Sequence, residues 1–160
     1  MTTTLIDETA ETTTPGASRQ LVAFMVGSEE YAVEIARVQE IIRYTAPRPV
    51  SGARPGVEGL INLRGKLIPV VDLRRMLGSD GLRAETAKIV VVEIGDSTLG
   101  MEVDDVSEVL TVETADCESA PDGTSAGIGA DVIDAVVKLE GRLLVILDLD
   151  RMFGAAAAGH

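Results

Sequence analysis

Few side chains of this sequence could carry acid–base, nucleophilic or metal chemistry. The only histidine, His160, is the last residue, whereas a catalytic triad or a general base usually needs an imidazole held by a folded core. The only cysteine, Cys117, lies between an aspartate and a glutamate, and these carboxylates oppose a nucleophilic thiolate. One histidine and one cysteine also fall short of a zinc site. The sequence therefore predicts a protein that is not an enzyme, with no catalytic residue, no metal and no cofactor.

Two acidic pairs have a spacing that could suggest a cation site. They are Asp104-Asp105, and Asp148 with Asp150. Calcium takes six or more oxygen ligands, and neither pair is followed by the regularly spaced oxygen ligands of a calcium-binding loop. Asp148 also repeats the placement of Asp72 before a short apolar segment, so we interpret both aspartates as N-caps of short helices.

The composition restricts the classes of partner. The 160 residues include 26 acidic and 14 basic side chains, a formal net charge of −12, and no basic stripe, which argues against nucleic acid as a ligand. With no tryptophan, two tyrosines and two phenylalanines, the core must be mostly aliphatic. No apolar run reaches the roughly 18 residues of a membrane span, and the N-terminus lacks the pattern of a signal peptide. We therefore expect a cytoplasmic protein without direct membrane insertion, of a size that fits one domain.

Short apolar runs separated by turn residues predict most of the strands. Strands are expected on either side of Gly27-Ser28 and of Gly95-Asp96, and hairpins are expected at residues 60–71 and 135–147. A proline-rich loop is expected at residues 45–55. Strands this short, joined by tight turns, are typical of small barrels.

Four short helices are also predicted. Ile35, Val38 and Ile41 recur at helical spacing, which predicts an amphipathic helix over residues 35–42. A second helix is expected after Asp104, over residues 105–110. Asp72 and Asp148 introduce the other two, which are expected to end at residues 77 and 154.

The sequence repeats itself. Residues 59–78 match residues 135–154 at an offset of 76, and Glu34 matches Glu102 at an offset of 68. Each copy contains a hairpin, a short helix, a loop, a second hairpin and a second short helix. We therefore predict one domain over residues 18–154, made of halves at about 18–84 and 85–154, with an exchange of strands between them left open. Residues 1–17 are predicted to form a disordered tail, and residues 155–160 are predicted to form a flexible tail.

The stretch Val57–Leu73, which reads VEGLINLRGKLIPVVDL, resembles the signature of the CheW family. Residues 31–41 and Gly141–Asp150 resemble the same family, so the likeness covers about residues 18–154. It implies a mainly β fold of two SH3-like five-stranded β-barrel subdomains with short connecting helices. It also implies a non-enzymatic adaptor that couples a CheA-type histidine kinase to methyl-accepting chemoreceptors in bacterial chemotaxis. One departure is Ala135, where relatives often have glycine.

Arg64 is the strongest candidate for partner recognition. Its counterpart in the repeat is Glu140, so the fold itself does not require a positive charge at this turn. The resemblance implies two sets of binding residues. The receptor-binding set is Val38, Glu40, Ile41, Arg64 and Gly65, and the kinase-binding set is Leu99, Gly100, Met101 and Val103. Burial in the core is an equally good explanation for Val38, for Ile41 and for the second set.

The resemblance implies two protein partners. One is the regulatory domain of the kinase, which has the same fold, and the other is the cytoplasmic helical tip of a chemoreceptor. The protein would then be recruited to membrane-associated receptor arrays, where adaptor rings are a further expectation. Two alternatives stay open from sequence: a CheW-like adaptor of a non-flagellar chemosensory pathway controlling twitching motility, development or gene regulation, and a barrel that senses a small molecule.

Overall fold

The computed structural model describes residues 17–52, 56–77, 82–119 and 132–158, with side chains as far as residue 153. The strands are β1 Ser18–Val26, β2 Glu29–Glu34, β3 Val38–Arg43, β4 Val57–Leu63, β5 Lys66–Asp72, β6 Lys88–Ile94, β7 Ser97–Val103, β8 Asp105–Glu113, β9 Cys117–Glu118, β10 Ile133–Leu139 and β11 Arg142–Leu147. The helices are α1 Leu73–Met76 and α2 Leu149–Ala158, and single 3-10 turns at Ile35–Arg37 and Thr114–Asp116 precede β3 and β9. No helix within these ranges is long and apolar enough to cross a bilayer.

The strands form two sheets that exchange hairpins between the two copies of the repeat. The first sheet has the order β8-β1-β2-β11-β10-β9, and the second has the order β3-β6-β7-β5-β4. The β1–β2 hairpin thus lies among strands of the second copy, and the β6–β7 hairpin lies among strands of the first. Four strand pairs join the two copies: β2–β11 and β5–β7 are parallel, whereas β1–β8 and β3–β6 are antiparallel. The pairings within each copy are antiparallel.

Each sheet closes on itself. In the first sheet, β8 continues through the turn Thr114–Asp116 into β9, which pairs with β10 at the other edge. In the second sheet, the chain leaving β3 returns at Arg48, whose backbone exchanges hydrogen bonds of 2.8 and 2.9 Å with Leu60 of β4. Closure leaves few unpaired edges. The prediction of a mainly β fold with two small barrels and short helices is confirmed.

Three hydrophobic cores follow from the alternation of side chains along these strands. Ile89 and Val91 point into the interior of the second barrel, whereas Val90 and Val92 point towards the first barrel. The first barrel has its own interior, which includes Leu144. The largest core lies between the two barrels and contains side chains from both sheets. The two sheets are therefore held together by a continuous apolar layer.

The two helices predicted over residues 35–42 and 105–110 are wrong. The first segment is the 3-10 turn followed by β3, which pairs with β6, and the second is β8, which pairs with β1. Val38, Ile41 and Ile42 are β-branched, which favours a strand once a pairing partner is present. The Asp104 carboxylate accepts a 2.7 Å hydrogen bond from the Gly27 N–H instead of capping a helix.

Both aspartate N-caps are confirmed. Asp72 Oδ1 accepts from the Arg75 N–H at 3.3 Å, and Asp148 Oδ1 accepts from the Arg151 N–H at 3.1 Å. The last helix does not end at Gly154 as predicted but continues to Ala158, because the alanines that follow have the highest helix propensity.

Candidate docking site

The turn between β4 and β5 is built to present Arg64. Arg64 has a φ of +55° and Gly65 a φ of +84°, the signs of a type I′ hairpin turn. Asn62 Oδ1 accepts a 2.8 Å hydrogen bond from the Gly65 N–H and holds the turn. Arg64 is the one non-glycine residue with positive φ among the described residues, a conformation that costs on the order of 1 kcal/mol.

The equivalent turn between β10 and β11 lacks these features. Gly141 has a φ of +75°, but Glu140 before it does not have a positive φ. Lys138 stands where the first hairpin has Asn62, so this turn has no amide side chain at that position. The strained arginine conformation therefore belongs to one hairpin and is not a requirement of the fold.

Arg64 and Glu40, two residues of the predicted receptor-binding set, form a bidentate ion pair. Arg64 Nη1 lies 2.5 Å from Glu40 Oε2, and Arg64 Nη2 lies 2.7 Å from Glu40 Oε1. The hydrogen bonds from Arg64, and then its charge, lower the pKa of Glu40. The arginine side chain remains 74% exposed. The ion pair joins the hairpin tip to β3. The sequence did not reveal this contact, because β3 and β4 lie at opposite edges of the sheet.

The apolar residues of β3 and of the β4–β5 hairpin differ in exposure. Val38 is half-buried and packs against the core between the barrels, whereas Ile41 is 38% exposed. Leu67, on the same hairpin as Arg64, is 61% exposed and was missed by sequence reasoning. Its counterpart in the repeat, Leu143, is also exposed, so the repeat preserves an apolar residue there that does not belong to a core. We call Glu40, Ile41, Arg64 and Leu67 the Arg64 patch.

The residues of the predicted kinase-binding set lie on β7, which is paired on both sides. Gly100, Met101 and Val103 are buried, and Leu99 is half-buried against the core between the barrels. A kinase-binding role for these four residues stays a prediction. Of the four, only Leu99 has appreciable exposed surface in the isolated chain.

A buried cluster of charges at the opposite end of the second sheet was not predicted. One carboxylate oxygen from each of Glu58, Asp72 and Glu102 lies within 4.8 Å of the other two. Arg83 donates to both oxygens of Glu102, and its guanidinium carbon lies 3.9 Å from the centre of the Tyr44 ring. Arginines already provide the positive charge that a cation would bring, so we assign no metal here.

The pKa values of two acids of this cluster are shifted in opposite directions. Burial, then a hydrogen bond with Glu102, raises the pKa of Glu58 to about 8. Burial opposes ionisation of Glu102, but the hydrogen bonds from Glu58 and Arg83 together lower its pKa. Glu102 could have been noticed as the repeat counterpart of Glu34, but nothing in the sequence indicates that it is buried.

The closed sheets, the exchanged hairpins and the shared core define a double SH3-like barrel domain that presents a strained arginine at one hairpin tip. Residues 20–157 match the family model described as the CheW-like domain. The chain belongs to this family.

Individual relatives agree with the family assignment. The chain is 36% identical to "Chemotaxis protein CheW" of Bacillus subtilis (strain 168), over 81% of this chain and 83% of the relative. It is 34% identical to "Chemotaxis protein CheW" of Rhizobium meliloti (strain 1021), over 84% and 87%. The crystal structure of the scaffolding protein TtCheW from Thermoanaerobacter tengcongensis superimposes with a TM-score of 0.77 at 27% identity, covering 89% of this chain and 91% of the other.

Proposed function

We propose that this chain is a non-enzymatic scaffold of bacterial chemotaxis that couples a CheA-type histidine kinase to methyl-accepting chemoreceptors. Membership of the CheW-like family, relatives named as chemotaxis proteins and a solved relative described as a scaffolding protein support the proposal. The observation that carries it is the strained, exposed Arg64, because strain at a surface residue is typical of functional sites.

The Arg64 patch is the proposed contact for the cytoplasmic helical tip of the receptor. A guanidinium has five N–H donors, and Glu40 takes two of them, so others stay available to carbonyl or carboxylate oxygens of a helix. Glu40 also fixes the guanidinium plane before binding, which reduces the entropy lost on association. Ile41 follows Glu40 on β3 and Leu67 lies on the hairpin that carries Arg64, and both are exposed apolar side chains.

The proposed partner on the kinase is its regulatory domain. The family resemblance implies that this domain has the same fold as the present chain. Met101 and Val103 are fully buried, so they would act by shaping β7 and not by touching the partner. Leu99 is the member of the predicted set that could contact the kinase directly.

The setting of this scaffold is part of the same proposal. We place it in the cytoplasm, recruited to membrane-associated receptor arrays, where it could also join adaptor rings. The same adaptor role in a non-flagellar chemosensory pathway would use the same surfaces, and no feature of the described residues favours it.

The test separates receptor coupling from kinase binding. Arg64→Glu should reduce receptor-dependent kinase activation in a reconstituted receptor–kinase assembly by at least about tenfold, the effect of losing one charged hydrogen-bonded anchor. Calorimetry should show unchanged binding to the kinase regulatory domain, and the melting temperature should be preserved. The matched control is Glu140→Arg at the equivalent turn, which should retain both activities.

Two results would contradict the proposal at different levels. Normal receptor coupling by Arg64→Glu would remove Arg64 from the receptor contact. Failure of the folded wild-type chain to bind the kinase regulatory domain at high micromolar concentration would remove the adaptor function itself.

A further inference from the structure

The repeat places a trio of acidic side chains at the same position in each barrel. In the second sheet, Asp72 of β5 pairs in register with Glu102 of β7, and Glu58 lies on the neighbouring strand β4. The parallel pair β11–β2 of the first sheet has the equivalent register, because Ile146 pairs with Ala32 as Val70 pairs with Gly100. The equivalent acids there are Glu34, Asp134 and Asp148.

The two trios differ in their access to water. The side chains of Glu34 and Asp134 are 44% and 41% exposed, and both pair with Arg19. In the second sheet, Asp72 and Glu102 are buried, and Glu102 has no exposed surface at all. Water can stabilise excess negative charge in the first trio, whereas in the second it reaches mainly the Glu58 side chain, which is 20% exposed.

The groups that face the buried trio come from every element packed around it. They are Tyr44 after β3, Arg74 and Arg75 of α1, Arg83 before β6, and Asp104 after β7. Arg74 Nε lies 3.4 Å from Asp72 Oδ1 and 3.5 Å from Glu102 Oε2. The Arg75 side chain is mostly exposed. Arg74, Arg75 and Arg83 therefore face four carboxylates, those of the trio and that of Asp104, which leaves one surplus negative charge where water is scarce.

We propose that Glu58 and Glu102 share one proton at neutral pH, and that this proton stabilises the closure of the second sheet. Glu58 lies on one edge strand, and Tyr44 directly follows the other edge strand. Arg83 connects them, because it binds Glu102, lies 3.8 Å from Glu58 Oε1 and stacks on Tyr44. The Tyr44 N–H also donates to the Ala87 carbonyl at 3.1 Å. We call Tyr44, Glu58, Arg83 and Glu102 the clasp.

The expected pH dependence follows from Glu58. Its pKa rises from 4.5 to about 8 on folding, so the folded chain binds this proton more tightly than the unfolded chain does. The resulting stabilisation is complete below pH 4.5 and is lost as the pH rises through about 8. Above that range the ionised Glu58 adds a negative charge to the clasp, and closure of the sheet weakens. The scaffold is thereby sensitive to alkaline shifts near neutral pH.

The first test compares unfolding of the full chain at pH 5 and pH 9. Glu58→Gln keeps a donor to Glu102 but cannot ionise. Relative to this variant, the unfolding equilibrium constant of the wild type should increase at least about tenfold between the two pH values, a fraction of the full linkage effect. Asp134→Asn, at the equivalent open position, should follow the wild-type profile. Parallel profiles for the wild type and Glu58→Gln would overturn the proposal.

The second test does not depend on any variant. Carbon-13 NMR of the side-chain carboxyl groups in the wild-type chain should give a midpoint for Glu58 near pH 8. Exchange of the Tyr44 amide with solvent should accelerate over the same pH range by more than its intrinsic pH dependence. A Glu58 midpoint near 4.5 would overturn the proposal.

Discussion

Gly100 offers a direct test of how tightly the second barrel is packed. It lies on β7 between β5 and β6, and a Cβ atom at this position would lie 2.8 Å from Ile89 Cγ2 and 3.3 Å from Val70 Cγ2. Optimal carbon–carbon contacts are about 3.5–4.0 Å, so the closer methyl group would have to move by roughly 0.7 Å. Both neighbours are buried and β-branched, and such side chains are stiff about χ1. We expect Gly100→Ala to destabilise the fold by about 1–3 kcal/mol.

A thermal melt followed by circular dichroism measures this effect. For a chain of this size about 1 kcal/mol corresponds to roughly 2–4 °C, so the midpoint should fall by about 2–12 °C. The matched control is Ala32, the buried counterpart of Gly100 in β2, where a methyl group already fits. Ala32→Gly should also destabilise, by about 1–2 kcal/mol, through lost burial and added chain entropy. An unchanged midpoint for Gly100→Ala would refute the packing argument, and a kinase-binding defect without a stability change would indicate that Gly100 acts at an interface.

Two further substitutions test other parts of the second sheet. Gly59→Ala would place a Cβ atom 2.2 Å from the Arg48 carbonyl oxygen, so it should break the Arg48–Leu60 bridge and lower the melting temperature by more than Gly100→Ala does. A smaller effect would mean that the bridge is not needed for closure. Glu102→Gln should cost about 1–3 kcal/mol at neutral pH through its weakened hydrogen bonds with arginine. Because the pKa of Glu102 is lowered on folding, this stabilisation exists above pH 4.5 and disappears as the pH falls through the folded-state value. The denaturation profiles of the wild type and of Glu102→Gln should converge at acidic pH, and profiles that diverge there would contradict this prediction.

Local sequence signals were sufficient for the hairpins but not for β3 and β8. Glycine at positions such as Gly65 and Gly141 identifies tight turns, because a positive φ suits few other residues. The segment that contains Ile35, Val38 and Ile41 satisfies a helical period, yet it forms a strand because β6 supplies a pairing partner. That partner comes from the other copy of the repeat, so no window of neighbouring residues contains the information.

The candidate site was only partly predictable for a related reason. The contrast with Glu140 identified Arg64, and the family resemblance identified Glu40, but neither indicated that the two side chains form an ion pair. Likewise, the alternation of residues along β7 does not reveal that both of its faces are buried. Met101 faces the core between the barrels, while Gly100 lies against Ile89 of the barrel interior. The second face of β7 is buried because the two barrels pack against each other, and that packing is a property of the tertiary fold.

The exchange of hairpins has a consequence for how the chain folds during synthesis. The β1–β2 hairpin is translated early, but β2 pairs in parallel with β11 near the end of the domain. About 110 residues separate the two strands, so at 5–20 residues per second the hairpin waits roughly 5–20 s for its partner to leave the ribosome. During that interval its apolar face, which includes Phe24, has no core to enter. We therefore expect nascent chains to need protection by chaperones, and pairs of nascent chains on one messenger to be able to exchange hairpins between molecules.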